Sequence, residues 1–165
     1  MKNQKAQAFL KKFCGVFPAV PTPFTPSHEV DEPALERIVN HLIRGGVHGL
    51  WVMGSGSGFP GLTPAQRSRT FQAIVKANNG RLPILAGVSD TSLDQAIAHA
   101  REAASLGADA VFAISPWYYT LDAADIRSFF EQLASASPLP LVIYHNPFNS
   151  KIPLDLDLIA ALSEH

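Results

Sequence analysis

Short continuous apolar runs alternate along the chain with longer stretches in which apolar residues recur at helical spacing. The runs are Val16–Val20, Gly49–Met53, Ile84–Val88, Ala110–Ile114 and Leu141–Tyr144. Continuous rather than alternating apolar character marks strands buried on both faces of a parallel sheet. The stretches between them predict helices. Asp31–Arg44 places Leu35, Ile38, Val39 and Leu42 on one stripe and stops at Gly45-Gly46. Thr63 stands as the cap of Pro64–Ala77, with Pro64 at the first helical position, where its missing N–H costs nothing. Ser92–Leu106 is alanine-rich and ends at Gly107; Asp122–Ala136 and Leu154–Leu162 complete the set.

Five β-then-α units follow one another, their strands starting about 26 to 35 residues apart. That is the rhythm of successive right-handed βαβ crossovers. A doubly wound sheet and a (β/α)8 TIM barrel share it. The first run leads into VFPAVPTPF rather than a GxGxxG turn, and Pro18, Pro21 and Pro23 suit a rigid exit loop better than a dinucleotide site. The barrel is therefore the expected parent fold, an α/β architecture of which this chain carries the first five βα units. A sixth strand is expected beyond His165. Five units leave open strand edges and an uncovered interior, which favours pairing with further structure.

Composition narrows the setting. The 165 residues are 47% hydrophobic and 16% charged, apolar enough for a core and too sparsely charged for disorder. Thirteen basic and fourteen acidic residues leave a net charge of −1, which speaks against coating nucleic acid or an anionic membrane by bulk charge. Cys14 is the single cysteine, so neither an intrachain disulfide nor a cysteine-based zinc site is expected. No apolar run nears the roughly 20 residues that span a bilayer. The start, MKNQKAQAFLKKF, carries four lysines and no long apolar stretch, unlike a secretory signal. A basic N-terminal segment over residues 1–14, forming a short helix, is expected ahead of an incomplete barrel domain over 15–165. A cytoplasmic location follows as the expectation.

Three loops carry candidate chemistry. GSGSGFPGLT, from Gly54 to Thr63, follows the second run at the end of the sheet where α/β enzymes bind ligands. Its glycines allow backbone N–H groups to form an anion nest, and Ser55 and Ser57 add hydroxyls; the same pattern also reads as a flexible Gly/Ser turn. Pro116-Trp117-Tyr118-Tyr119 follows the fourth run, where aromatics wall a pocket, meet a neighbouring subunit or simply pack. Tyr144-His145-Asn146-Pro147 closes the fifth, with Tyr144 as a candidate acid or base and His145 as polar lining or a satisfied loop residue, the lining being favoured. The other histidines, His28, His41, His48, His99 and His165, form no metal-ligand spacing, so neither a metal nor another cofactor is expected.

Taken in order, GVFPAVPTPFT, DEPALERIVNHLIRGGVHGLWVMGSGSGFPGLTPAQR, RLPILAGVSDTSLDQAIAHAREAASLGADAVFAISPWYY and PLVIYHNP resemble the N-terminal part of the dihydrodipicolinate synthase/N-acetylneuraminate lyase family of class I aldolases. The likeness covers nearly everything from Gly15 onward. It implies a lyase in which a lysine on the sixth strand forms a Schiff base with pyruvate or a related 2-oxo acid, the iminium serving as electron sink for C–C bond making or breaking. It implies that Tyr144 handles protons, that Ser55 and Gly56 hold the carboxylate, and that Tyr118 reaches a neighbouring subunit in a homo-oligomer, a dimer or tetramer.

Departures matter as much. The family's G-T-T-G-E reads Gly54-Ser55-Gly56-Ser57-Gly58, so a hydroxyl is lost at Gly56 and Ser57 substitutes for it only in a rearranged loop. An arginine that binds the second substrate's carboxylate in dihydrodipicolinate synthases is Asn149 here, with Lys151 nearby as a substitute charge. A sugar-acid-type 2-oxo acid is therefore expected over lysine biosynthesis. The lysines stand at positions 2, 5, 11, 12, 76 and 151, none inside an apolar run, so the chain alone is expected to lack the Schiff-base nucleophile. The alternatives are a non-catalytic fragment that binds a carboxylate or assembles with a partner, and a half-barrel that pairs with its own copy.

Overall fold

The computed structural model describes residues 2–164, with side chains described from residue 6 onward; His165 lies outside the described residues. Its helices and strands run α1 (Lys2–Lys12), α2 (Glu32–Arg44), β1 (Leu50–Val52), α3 (Pro64–Asn78), β2 (Ile84–Gly87), α4 (Leu93–Leu106), β3 (Ala110–Ala113), α5 (Ala123–Ala136), β4 (Leu141–Ile143), α6 (Pro147–Ser150) and α7 (Leu156–Ser163). Two compact units share the chain, the first reaching residue 86 and including 106–108, the second formed by 87–105 and the residues from 109 onward.

In the first unit β1 and β2 pair in parallel, Leu50 opposite Ile84 and Val52 opposite Ala86. The run Val16–Val20, expected as a strand, forms no ladder. It contributes one parallel bridge, Ala19 to Trp51, in which the Val20 N–H donates to the Trp51 carbonyl (2.9 Å) and the Trp51 N–H to the Pro18 carbonyl (3.1 Å). Pro18 and Pro21 offer no N–H, and apolar character alone does not make a ladder where donors are missing.

The helices expected from Asp31 and Thr63 start at those residues. The Asp31 carboxylate accepts from the Ala34 N–H at 2.9 Å, and α2 buries Leu35 and Val39 completely. Thr63 and Gln66 close a reciprocal capping box on α3, which buries Phe71 and Ile74 and packs against α2. Arg69 on α3 donates to Glu32 on α2 at 2.6 Å, and that hydrogen bond with the carboxylate charge raises its pKa. At the N-terminus Phe9, Phe13 and Phe17 stack in sequence, tying α1 to the segment beside β1. Gly49 lies against the Phe17 ring with no room for a Cβ.

In the second unit the Val88 N–H donates to the Phe112 carbonyl at 2.8 Å, and β3 pairs in parallel with β4, Val111 opposite Leu141 and Ala113 opposite Ile143. All of β3 is buried, whereas β4 is half-buried along its length. The α4 helix buries only alanines, Ala96, Ala100 and Ala103. The α5 helix, capped reciprocally by Asp122 and Asp125, buries Ile126, Phe130 and Leu133 and packs on β4 and α7. Two boundaries differ from expectation. A four-residue helix, α6, occupies Pro147–Ser150 where a loop was expected, begun by the Asn146 side chain accepting from the Asn149 N–H. The last helix starts at Leu156 because Asp155 accepts from the Leu158 N–H at 2.8 Å, leaving Leu154 as a buried residue ahead of it. Among the described residues no helix is long and apolar enough to cross a membrane.

Candidate functional site

Each loop singled out by sequence follows the C-terminal end of a parallel strand, the end where such sheets carry their ligand chemistry. In the first unit β1 ends at Val52, and buried Met53 takes a left-handed φ of 58°, an uncommon conformation for a long side chain. The chain then closes a 3₁₀ turn over Ser55–Ser57, with the Ser57 N–H on the Gly54 carbonyl (2.9 Å) and the Gly58 N–H on the Ser55 carbonyl (3.0 Å). Gly58 exits at φ 70° into a second such turn, Phe59–Gly61. The Gly/Ser patch is thus a hydrogen-bonded structure.

A helical turn leaves its first N–H groups without an internal acceptor. Here those are the N–H groups of Ser55 and Gly56, both exposed residues. Ser57 behaves differently. It is buried, and its hydroxyl donates to the Val20 carbonyl at 2.6 Å, so its proton is directed into the protein. A Cβ on Gly56 would stand 3.1 Å from the Cβ of Ala19, tighter than an ordinary van der Waals contact.

In the second unit Tyr144 follows β4. Its N–H donates to the Ala113 carbonyl at 2.8 Å, and its ring meets Phe112 edge-on with centroids 6.0 Å apart. The phenol oxygen accepts from the Asn146 side-chain amide at 3.0 Å. Sequence reasoning passed over Asn146, which also begins α6; its place two residues after the tyrosine and just before Pro147 was the available signal. Asn149 is exposed and spends its N–H on Asn146. Lys151, at φ 62°, turns its ammonium onto the Phe148 carbonyl (2.7 Å), 5.0 Å over the Phe148 ring. His145, expected as lining, accepts from the Leu154 N–H at 3.2 Å, so the satisfied-loop reading describes it. Tyr118 and Tyr119 are 76% and 71% exposed and pack edge-to-face against each other. The structure thus brings Tyr144, Asn146, Asn149 and Lys151 together on the β4–α6 turn, Ser55, Gly56 and Ser57 on the turn after β1, and leaves Tyr118 on the loop after β3. Among the described residues no three His, Cys, Asp or Glu side chains cluster as metal ligands.

Parallel βα units with polar loops at their strand ends define an α/β enzyme class. Residues 12–165 match the model of the Dihydrodipicolinate synthetase family, and the chain belongs to that family. It is 37% identical over 150 residues to an uncharacterized DapA-like lyase of Halobacterium salinarum, covering 91% of this chain and 49% of that protein. It is 33% identical over 135 residues to the 4-hydroxy-tetrahydrodipicolinate synthase of Salinibacter ruber, covering 82% and 45%. Among solved structures it superposes on Escherichia coli YagE, a prophage protein of the dihydrodipicolinic acid synthase family in complex with pyruvate, with TM-score 0.89 and 30% identity, covering 92% of this chain and 51% of that one. The chain spans about half the length of the curated relatives it matches. Its fold is therefore a TIM barrel in part, as expected, and its kinship is with lyases and aldolases.

Proposed function

We propose that the chain supplies the carboxylate-holding and proton-handling portion of a Schiff-base lyase or aldolase acting on pyruvate or a related 2-oxo acid. The observation that carries this is the turn after β1, whose first two residues, Ser55 and Gly56, are exposed and precede the N–H groups of Ser57 and Gly58 that close it. Two N–H donors beside the exposed Ser55 hydroxyl match the two oxygens of a small carboxylate and leave its oxo carbon reachable. The pyruvate held by YagE supports this ligand class.

Tyr144 is the proton carrier in this scheme. Its phenol oxygen accepts from the Asn146 amide, which holds the hydroxyl at the end of β4. Ser57 acts through Val20 rather than on the ligand. Asn149 and Lys151 occupy the sequence positions that the family likeness assigns to the second carboxylate, and the absence of an arginine there favours a sugar-acid-type 2-oxo acid. The nucleophile comes from outside these 165 residues. A Schiff-base lysine needs burial to attack as the free amine, whereas Lys11, Lys12, Lys76 and Lys151 are exposed and none lies in β1–β4. The exposed Tyr118 supports a role at a subunit boundary. The half-buried β4 and the 82%-exposed Leu156 support completion of the barrel by further βα units.

Titration of the chain with pyruvate, followed by amide resonances, tests the reading. Saturable shifts at Ser55 and Gly56, absent with pyruvamide, are expected. A chain whose Ser55 and Gly56 resonances ignore pyruvate overturns it.

A further inference from the structure

We propose that Ser57 and Gly56 are positioning residues that dock the turn after β1 onto the Ala19–Val20 segment, and so hold the turn closed with the Ser55 and Gly56 N–H groups outside its own hydrogen bonds. The pairing of this segment with β1 stops early. Pro18, Val20 and Trp51 exchange parallel-sheet bonds, Trp51 N–H to the Pro18 carbonyl and Val20 N–H to the Trp51 carbonyl. Continued in register, the next donor to the Val20 carbonyl would be the Met53 N–H. Strand β1 ends one residue earlier, Met53 turns left-handed, and the buried Val20 carbonyl takes the Ser57 hydroxyl instead, at 2.6 Å. A buried carbonyl without a donor is costly, so this side chain does the work of a missing backbone bond.

A second contact on the same segment is independent of the first. Gly56 approaches Ala19 so closely that its own Cβ would meet the Ala19 methyl at 3.1 Å. A hydrogen bond at Val20 and a close approach at Ala19 therefore seat two consecutive loop residues on two consecutive segment residues. With the turn so seated, the Ser57 and Gly58 N–H groups close it from within, and the two N–H groups before them stay outside.

This deepens the proposed carboxylate site and rests on that reading for its ligand readout alone. The test uses the 165-residue chain and its variants S57A, G56A and the pair G56A with A19G. Amide exchange at Ser57 and Gly58 reports closure of the turn, and pyruvate-induced shifts at Ser55 and Gly56 report binding. Loss of one hydrogen bond to a buried acceptor corresponds to roughly tenfold. S57A is expected to speed exchange at residues 57 and 58 and to weaken pyruvate binding by about that factor, with α2 and α3 protection unchanged. G56A is expected to do the same, and A19G to restore it by removing the opposing methyl. Unchanged exchange at 57 and 58 in S57A, or G56A not rescued by A19G, overturns the positioning role. If pyruvate shifts nothing in the parent chain while S57A still loosens the turn, the positioning stands and the 2-oxo-acid reading falls.

Discussion

Phe112→Ala is expected to destabilise the second unit by about 3–5 kcal/mol, the usual cost of emptying a buried aromatic site. Phe112 is 1% exposed in the middle of β3, a strand with every residue buried. Its ring is also the surface against which Tyr144 stands, edge-on at 6.0 Å. Truncation removes apolar burial, leaves a cavity and takes away the aromatic partner together. For a chain of this length that translates into a thermal midpoint lower by about 6–20 °C. Phe112→Leu keeps most of the volume and is expected to lose much less. Thermal unfolding of the two variants checks this; a midpoint within about 2 °C of the parent for Phe112→Ala would contradict the packing described.

Tyr144→Phe separates chemistry from packing. The substitution keeps the ring against Phe112 and removes only the hydroxyl that accepts from Asn146. Stability is expected to change by about 1 kcal/mol, the cost of one hydrogen bond. In a complete lyase carrying this chain, turnover is expected to fall by about 10²–10⁴, the contribution of a positioned proton carrier. Because the ring remains, KM for the 2-oxo acid is expected to stay within a few-fold. Steady-state kinetics of parent and variant decide it: an unchanged kcat would remove Tyr144 from the proton path.

Much of the fold was legible because it is written in local chemistry. Thr63 announces its helix and caps it as expected, and the helices expected from Asp31 and Asp122 begin there, each with that aspartate as its cap. The family likeness likewise rests on loops in fixed order along the chain. What escaped depends on contacts distant in sequence or on missing donors. Val16–Val20 has the apolar character of a strand, but its prolines reduce it to a single bridge. Ser57 and Ser55 look alike in the sequence, yet only Ser57 meets a carbonyl 37 residues away. Lys151 reads as a charge in reach of a ligand, while its ammonium lies on its own turn at Phe148. Asn146 was overlooked because an asparagine before proline reads as turn punctuation, and its amide matters only once it is seen on the Tyr144 phenol.

In the function proposed, these 165 residues hold the 2-oxo acid but not the amine that attacks it. Borohydride reduction in the presence of pyruvate, followed by intact mass and peptide mapping, tests it most directly. No reduced adduct is expected on this chain by itself, under conditions where a complete member of the family forms one. A reduced pyruvate adduct mapped to any lysine of this chain would contradict it and identify the nucleophile within these residues.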